Sequence, residues 1–428
     1  MEPRSTNRRS PDGHAEPPLD LPESLSPGLY VHVPFCRSRC TYCDFHVESL
    51  RLPIVREYSR ALIREIDLAG ESGFTPRTIF VGGGTPSALE EQCWDDLLAA
   101  LARNFGSGLQ EWTVEANPES IDERKMEVAL SHGVDRISTG AQTFDEKGLS
   151  LLGRRHDASR VIEVHRMMAS VGVPRTSLDL IVGWPGQGLD SVRRDLAAVA
   201  EIDPDHVSLY HLSYEQGTWL HTMRSRGAID PLHDEQCIEA SRFFLDGLAS
   251  QGYQRYEVSN LFKRGGASLH NLNYWQRGTY LGVGSGAASF LDGDRWKNRP
   301  DVSSYIRSRG RPERVAEETP DRFTAAVESI MLRLRLAEGL DLARWRRQEG
   351  YSLEQLCQGS LRQFAQQGLL IHEGDRIRIS DSGFDLLDSI LVALIEDLEE
   401  ASDDTGYQPS CRSDDRSSYP APTGLDRG

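Results

Sequence analysis

Three cysteines, Cys36, Cys40 and Cys43, fall within eight residues of a 428-residue chain that has only four others, Cys93, Cys237, Cys357 and Cys411. The run LYVHVPFCRSRCTYCDFHV sets them at C-x-x-x-C-x-x-C spacing, directly after a predicted strand. Thiols so spaced do not share one face of a strand. They suit a loop wrapped around a compact, soft metal centre. Two centres meet that requirement. Zinc would need a fourth ligand, for which His46 is close in sequence. A 4Fe–4S cube would use the three thiolates and leave one iron open to a ligand that is not protein.

The elements that must position this loop are readable from the apolar pattern. Strands are expected at 29–34, 78–82, 112–116, 135–138, 176–182 and 206–211. The segments between carry helical spacing, as in Ile54, Tyr58, Ala61, Leu62 and Ile66, or Val161, Val164, Met167 and Met168. Six strands each followed by a helix imply a parallel sheet, with its chemistry at the C-terminal strand ends. After about residue 310 the pattern turns mainly helical with one short strand (IRIS), which reads as a small winged-helix-like domain. Residues 1–27 and 399–428 lack apolar periodicity and are expected to be disordered; Cys411 lies in the second of these, so it is not a candidate ligand. The net charge is −17, with nine acidic and three basic residues between Glu396 and Gly428. That balance argues against a nucleic-acid binder, which needs a basic face. The N-terminus has no apolar core of a secretory signal and no run reaches membrane-spanning length, so a reducing, cytoplasmic setting is expected, with the cysteines as free thiols or ligands.

The C-x-x-x-C-x-x-C run, with aromatic Tyr42 before the last cysteine, resembles the radical S-adenosylmethionine (SAM) enzymes. The resemblance implies a partial (β/α)6 radical-SAM barrel over 28–305, a mainly helical C-terminal domain over 306–398, and a 4Fe–4S cluster whose open iron chelates SAM. Further segments in the same chain order are similar to the SAM site of the coproporphyrinogen-oxidase-like branch: Tyr30 on the entering strand, Gly83, Gly84 and Thr85 in FVGGGTPS, Glu115 in VEANPE, Gln142 in RISTGAQTF, Arg154 in LLGRRH and Asp179 in SLDLIVGWPGQ. By that resemblance the glycines and Thr85 meet the SAM amino end, Arg154 pairs its carboxylate, and the remaining groups hold the ribose and methionyl parts. Taken one at a time, the same residues read as a tight turn, helix caps and ion pairs.

Within this branch, oxygen-independent coproporphyrinogen III oxidases carry an additional cysteine two residues after the third. Here that position is Phe45. The CDF form is similar to the HemW-type group of heme chaperones, which implies heme as a ligand and heme-accepting apoproteins as partners, membrane-associated respiratory proteins included. The segment His270-Asn271-Leu-Asn-Tyr274-Trp275 matches the HNxxYW run of that group, so His270 is expected to offer an imidazole to heme iron and Asn271, Tyr274 and Trp275 to line the macrocycle. Oxidative decarboxylation of coproporphyrinogen III, and a zinc-stabilised binding module, are the alternatives. GVGSGA at 282–287 mimics a dinucleotide fingerprint, but no acidic strand end follows at the required distance, so it is read as a glycine loop near the site's mouth.

Overall fold

A computed structural model describes residues 27–405. The tails expected to be disordered lie outside the described residues, except that the last helix runs from Leu387 to Thr405, so residues 399–405 continue it rather than belonging to a tail. All six expected strands form: β1 (Gly28–Val33), β2 (Thr78–Gly83), β3 (Glu111–Ala116), β4 (Arg136–Gln142), β5 (Arg175–Val182) and β6 (His206–His211). They pair in parallel, each beside its neighbour in the chain. The connecting helices are α1 (Leu52–Glu71), α2 (Glu91–Phe105), α3 (Glu123–His132), α4 (Ala158–Val171) and α5 (Leu189–Ile202). Asp122 and Asp157 start α3 and α4 by accepting backbone N–H bonds from Lys125 and Arg160, the usual remedy for unpaired donors at a helix start.

Beyond β6 come α6 (Trp219–Ser225), α7 (Asp234–Ser250), the antiparallel strand β7 (Asn260–Phe262), α8 (Leu269–Trp275) and β8 (Tyr280–Val283). β8 lies parallel to the outer side of β1, and three antiparallel strands extend that edge, so the complete sheet is mixed and has twelve strands. The apolar pattern did not announce these additions because most are short and half exposed. After Gly284 the chain turns into the antiparallel strand Ala288–Leu291 instead of a helix, so GVGSGA builds no dinucleotide-binding unit.

Strand alternation sorts the sheet into two faces. Leu29, Val31, Ile79, Val81, Trp112, Val114 and Ile137 pack outward with α1, α2 and α3, and Leu178, Leu180, Val182, Val207 and Leu209 pack with α5 and α7. The alternate residues therefore face inward, and most are polar: Tyr30 and His32, Glu111 and Glu115, Arg136 and Ser138, Ser177 and Asp179, Ser208 and Tyr210. At the N-terminal strand ends this face is closed by an ion pair. Arg136, 1% exposed, meets Glu111, 0% exposed, at 3.0 Å and donates to the Gly266 and Ala267 carbonyls. The Glu111 carboxylate also accepts from the backbone N–H groups of Leu269 and His270, which seats α8 against the floor. Burial opposes its ionisation, but Arg136 and these donors hold it below the ordinary range.

The C-terminal domain is more than the helices and single strand expected from the pattern. Its helices Arg322–Arg333, Leu342–Glu349, Gln358–Gln366 and Leu387–Thr405 pack on a three-stranded antiparallel sheet, Leu340–Asp341 with Arg376–Ile379 with Leu370–Glu373. Its own apolar cluster centres on Trp345, Ile330, Ile377 and Leu394. Because truncating one partner of a buried ion pair leaves the other charge uncompensated, Arg136→Leu should destabilise the protein by about 3–5 kcal/mol. Urea unfolding checks this; a loss below about 1 kcal/mol would show that Glu111 is satisfied without Arg136.

Candidate functional site

The cysteine loop leaves β1 at the C-terminal mouth and is closed at its base by a short parallel pairing of Phe35–Cys36 with Glu48–Ser49. Its middle is fastened to two other mouth segments. Thr41 donates through its N–H to the Leu152 carbonyl (3.2 Å) and through its hydroxyl to the Leu151 carbonyl (2.8 Å), while its own carbonyl accepts from Leu220 N–H (3.0 Å). Tyr42 packs with Leu152, Ile181, Trp184 and Leu220. Arg39 spans the loop by donating to the carbonyls of Cys43 and Phe45.

The three thiols are half-buried. Burial pushes the Cys36 thiol up to about 11, with Cys43 and Cys40 adding and the Thr85 hydroxyl opposing. Burial also raises Cys43. Two thiols are joined by a continuous chain of hydrogen bonds. Arg154 Nη1 donates to Cys40 Sγ (3.2 Å) and Nη2 to Asn117 Oδ1 (2.7 Å) and the Gly140 carbonyl (2.7 Å). Asn117 Nδ2 donates to Thr85 Oγ1 (3.0 Å), and Thr85 Oγ1 donates to Cys36 Sγ (3.5 Å). Asn117, two residues beyond Glu115, was missed from the sequence; the VEANPE run that flagged Glu115 contains it.

Gly83 has φ +109, and a Cβ there would lie 2.4 Å from His32 Nδ1; at Gly84 it would lie 2.8 Å from the Phe35 backbone. The glycine run is therefore demanded by the strand beneath the cysteine loop as well as by any ligand above it. Gly83 N–H donates to Glu115 Oε2 (3.1 Å). Glu115 is pushed up to about 7 by burial and then by Asp179. Asp179 is pushed up to about 6 by burial, opposed by the Ser208 and Ser138 hydroxyls. Gln142 sits at a register irregularity in β4 with φ +70, and its Nε2 folds back over Gly140 beside Arg154. Tyr30 bonds His32 Nδ1 (2.9 Å) and stacks on Phe80. Tyr210 on β6 is 43% exposed on this inward-facing register. Thr85, Glu115, Gln142, Arg154 and Asp179 are thus gathered at the C-terminal ends of β2 to β5, on the same side as the cysteines.

Among the described residues no three His, Cys, Asp or Glu side chains converge to metal-ligand spacing. The donor set itself is three thiols. His46, the fourth ligand a zinc site would require, turns away: its Nε2 bonds Ser285 Oγ (3.1 Å) and its ring stacks on His32. The residues fit a cluster held by three thiolates, with a buried Arg154 Nε still lacking a hydrogen-bond acceptor beside it.

The Radical SAM superfamily model matches residues 30–199, and the HemN C-terminal domain model matches 321–386. The heme chaperone HemW of Lactococcus lactis is 32% identical over 369 residues, covering 86% of this chain and 97% of its own length. That of Bacillus subtilis is 32% identical, covering 86% and 99%. The chain belongs to the HemW family. A Bos taurus protein named radical S-adenosyl methionine domain-containing protein 1, mitochondrial, is also 32% identical, covering 92% of this chain and 93% of its own. Coproporphyrinogen III oxidase (HemN) of Escherichia coli superposes with a TM-score of 0.75 at 20% identity over 88% of this chain and 91% of that one, so the two share the radical-SAM fold.

The HNxxYW segment is α8, and it lies at the opposite end of the sheet from the cysteines. His270 is 1% exposed. Its Nδ1 bonds Thr78 Oγ1 (2.8 Å), its Nε2 bonds Tyr274 Oη (2.9 Å), and its ring stacks on Phe80. Neither ring nitrogen is open to iron in this conformation. Burial lowers His270 to about 4, in keeping with a neutral imidazole. Asn271, Tyr274 and Trp275 are half-buried on the same short helix.

Glu115 and Asp179 both have folded-state values above the ordinary carboxyl range, so the stability they contribute is full below pH about 4 and is lost as pH rises through about 6 and about 7. The cluster-free protein should therefore melt at a lower temperature at pH 8 than at pH 5. Glu115→Gln with Asp179→Asn should flatten that dependence; calorimetry showing the same slope in the double variant would assign it to other carboxyls.

Proposed function

We propose that this chain binds heme and delivers it to apoproteins, and that it does so with a 4Fe–4S cluster on Cys36, Cys40 and Cys43 and SAM bound beside it. The observation that carries the reading is that the likeness to proteins named heme chaperones runs at 32% identity over nearly their whole length, whereas the likeness to the oxidase is one of fold. Phe45 supports it from the site. At the position where the oxidases carry a further cysteine, this chain has an apolar ring, 62% exposed.

When bound, the cluster and SAM supply one-electron chemistry at a sulfonium. The protein's own part is binding and orientation. Thr85, Asn117 and Arg154 fix the thiols of Cys36 and Cys40 relative to the sheet, Glu115 and Asp179 place negative charge where a cationic cofactor is received, and Tyr30 and Gln142 complete the walls. Gly83 and Gly84 keep the β2 backbone low beneath the loop. A cytoplasmic site of action and membrane-associated respiratory acceptors belong to the same reading; among the described residues no helix is long and apolar enough to cross a membrane. Ligation of heme iron by His270 requires its ring to leave Thr78 or Tyr274.

Anaerobic reconstitution tests the reading. The protein should take up about four irons and four sulfides per chain, absorb near ~400 nm as iron–thiolate clusters do, bind ferric heme and pass it to an apoprotein. Cys40→Ala should lose the cluster. Formation of protoporphyrinogen from coproporphyrinogen III with SAM and reductant would establish the oxidase instead, and one zinc per chain with no visible band would establish the zinc module.

A further inference from the structure

The GVGSGA run at 282–287 builds no dinucleotide-binding unit, yet its turn is held by buried partners. Gly284 N–H donates to Glu65 Oε2 of α1 (2.8 Å). Asn298 Nδ2 donates to Glu65 Oε1 (3.0 Å) and to the Gly284 carbonyl (3.0 Å), and the Tyr305 hydroxyl donates to the same carboxylate. Ser285 N–H donates to the Tyr58 hydroxyl (2.9 Å), which itself donates to the His32 carbonyl (2.8 Å) and so ties the turn to β1. Glu65, Asn298, Tyr58 and Tyr305 are all buried. The fit is close. A Cβ on Gly284 would lie 2.5 Å from the His32 carbonyl oxygen, and one on Gly286 would lie 3.0 Å from the His46 ring.

The limb of the cysteine loop that follows the third thiol, residues 44–49, rests on this turn. Ser285 Oγ donates to the Arg299 carbonyl (3.3 Å), so toward His46 it is an acceptor and His46 Nε2 is the donor (3.1 Å). The His46 carbonyl in turn accepts from His32 Nε2 (3.0 Å), and the two rings face each other at 6.0 Å. A carbonyl can only accept, so the proton of the neutral His32 ring sits on Nε2. Burial keeps that ring neutral by lowering it to about 4. Its Nδ1 is therefore bare and accepts from the Tyr30 hydroxyl (2.9 Å). With its one proton directed at His32, Tyr30 has only lone pairs left to offer a ligand.

Resting on the SAM-binding part of the proposed function, we infer that His46 is a positioning residue for Tyr30: by bonding Ser285 it holds its own carbonyl on His32, and that bond orients the Tyr30 hydroxyl as an acceptor toward the cofactor. SAM carries an ammonium group and ribose hydroxyls, each able to donate to such an acceptor. The thiols are held through other partners, Cys36 by Thr85 and Cys40 by Arg154. Without the His46–Ser285 bond the limb keeps only short-range ties, Glu48 N–H to the Pro34 carbonyl, Leu50 N–H to that of Cys36, and Arg39 to the Phe45 carbonyl. The consequence of losing His46 therefore falls on SAM rather than on the cluster.

Two measurements on the full chain test the assignment, using His46→Ala, Ser285→Ala and the conservative His46→Gln, which keeps a side-chain N–H donor. In the metal-free protein, amide hydrogen exchange over 44–50 should quicken about tenfold in the two alanine variants, while 39–42 keeps the parent rate. In the cluster-loaded protein, both alanine variants should hold about four irons per chain but bind SAM on the order of tenfold more weakly. That affinity is read from the SAM-induced change in the electron paramagnetic resonance spectrum of the reduced cluster. His46→Gln should recover most of it, and on a Tyr30→Phe background His46→Ala should cause little further loss. Parent-like exchange or parent-like SAM affinity in both alanine variants would overturn the assignment, as would a full further loss on the Tyr30→Phe background. Loss of the cluster from His46→Ala alone would overturn it too, by making His46 a ligand. A parent protein whose cluster spectrum SAM leaves unchanged would overturn the SAM reading instead, and the exchange measurement then still decides whether His46 holds the limb.

Discussion

The cysteine loop has little core of its own, and its geometry rests on the guanidinium of Arg154. That one group donates to a thiol, to the side chain of Asn117 and to the Gly140 carbonyl, so it ties the loop to the ends of two strands at once. A loop is a poor place to hold three ligands in a fixed relation unless something outside it removes its freedom. Here Arg154 and Thr85 do so from one side and the Thr41 bonds to Leu151, Leu152 and Leu220 from the other. Arg154 is buried, and its charge is compensated by what it holds. Coulomb attraction from Tyr42, Cys40 and Glu119 outweighs the burial that opposes its protonation.

The order of the strands has a second consequence. Because each parallel strand lies beside its predecessor, the helices gather on one face and the other is left lined with polar side chains. At the floor those groups satisfy one another, through Arg136 with Glu111 and His206 with Ser177 and Tyr256. Toward the mouth the carboxyls are bonded by neutral donors, Gly83 N–H to Glu115 and the Ser138 hydroxyl to Asp179, with no ion pair to either among the described residues. Glu115 and Asp179 stand as two carboxyls raised by burial and, for Glu115, by the other's charge, which is the condition of a site that awaits a cation. The change from ion-paired floor to carboxyls without a cationic partner at the mouth matches the end of a parallel α/β sheet where chemistry gathers.

Much of this was legible in the residues. The six strands were placed by apolar pattern, and the set from Tyr30 to Asp179 by resemblance to a family; the structure stands the polar members of that set at the cysteine end of the sheet. The strands beyond β6 were not legible because they are short and mostly half exposed, so their alternation is faint; two of the three strands of the C-terminal sheet, Leu340–Asp341 and Leu370–Glu373, were hidden for the same reason. Asn117 escaped because an asparagine after a strand reads as a turn residue until its partners are known. His270 shows the opposite difficulty: a short motif drew attention to it, but only the tertiary bonds to Thr78 and Tyr274 reveal that its ring is built into the floor.

In the proposed function, three thiolates hold a cluster whose fourth iron is left for SAM. Mössbauer spectra of protein reconstituted with 57Fe, recorded with and without SAM, test it most directly. One iron of the four should change its parameters when SAM is added, while the other three keep those of thiolate-bound sites. Four irons that remain the same with SAM present would contradict it.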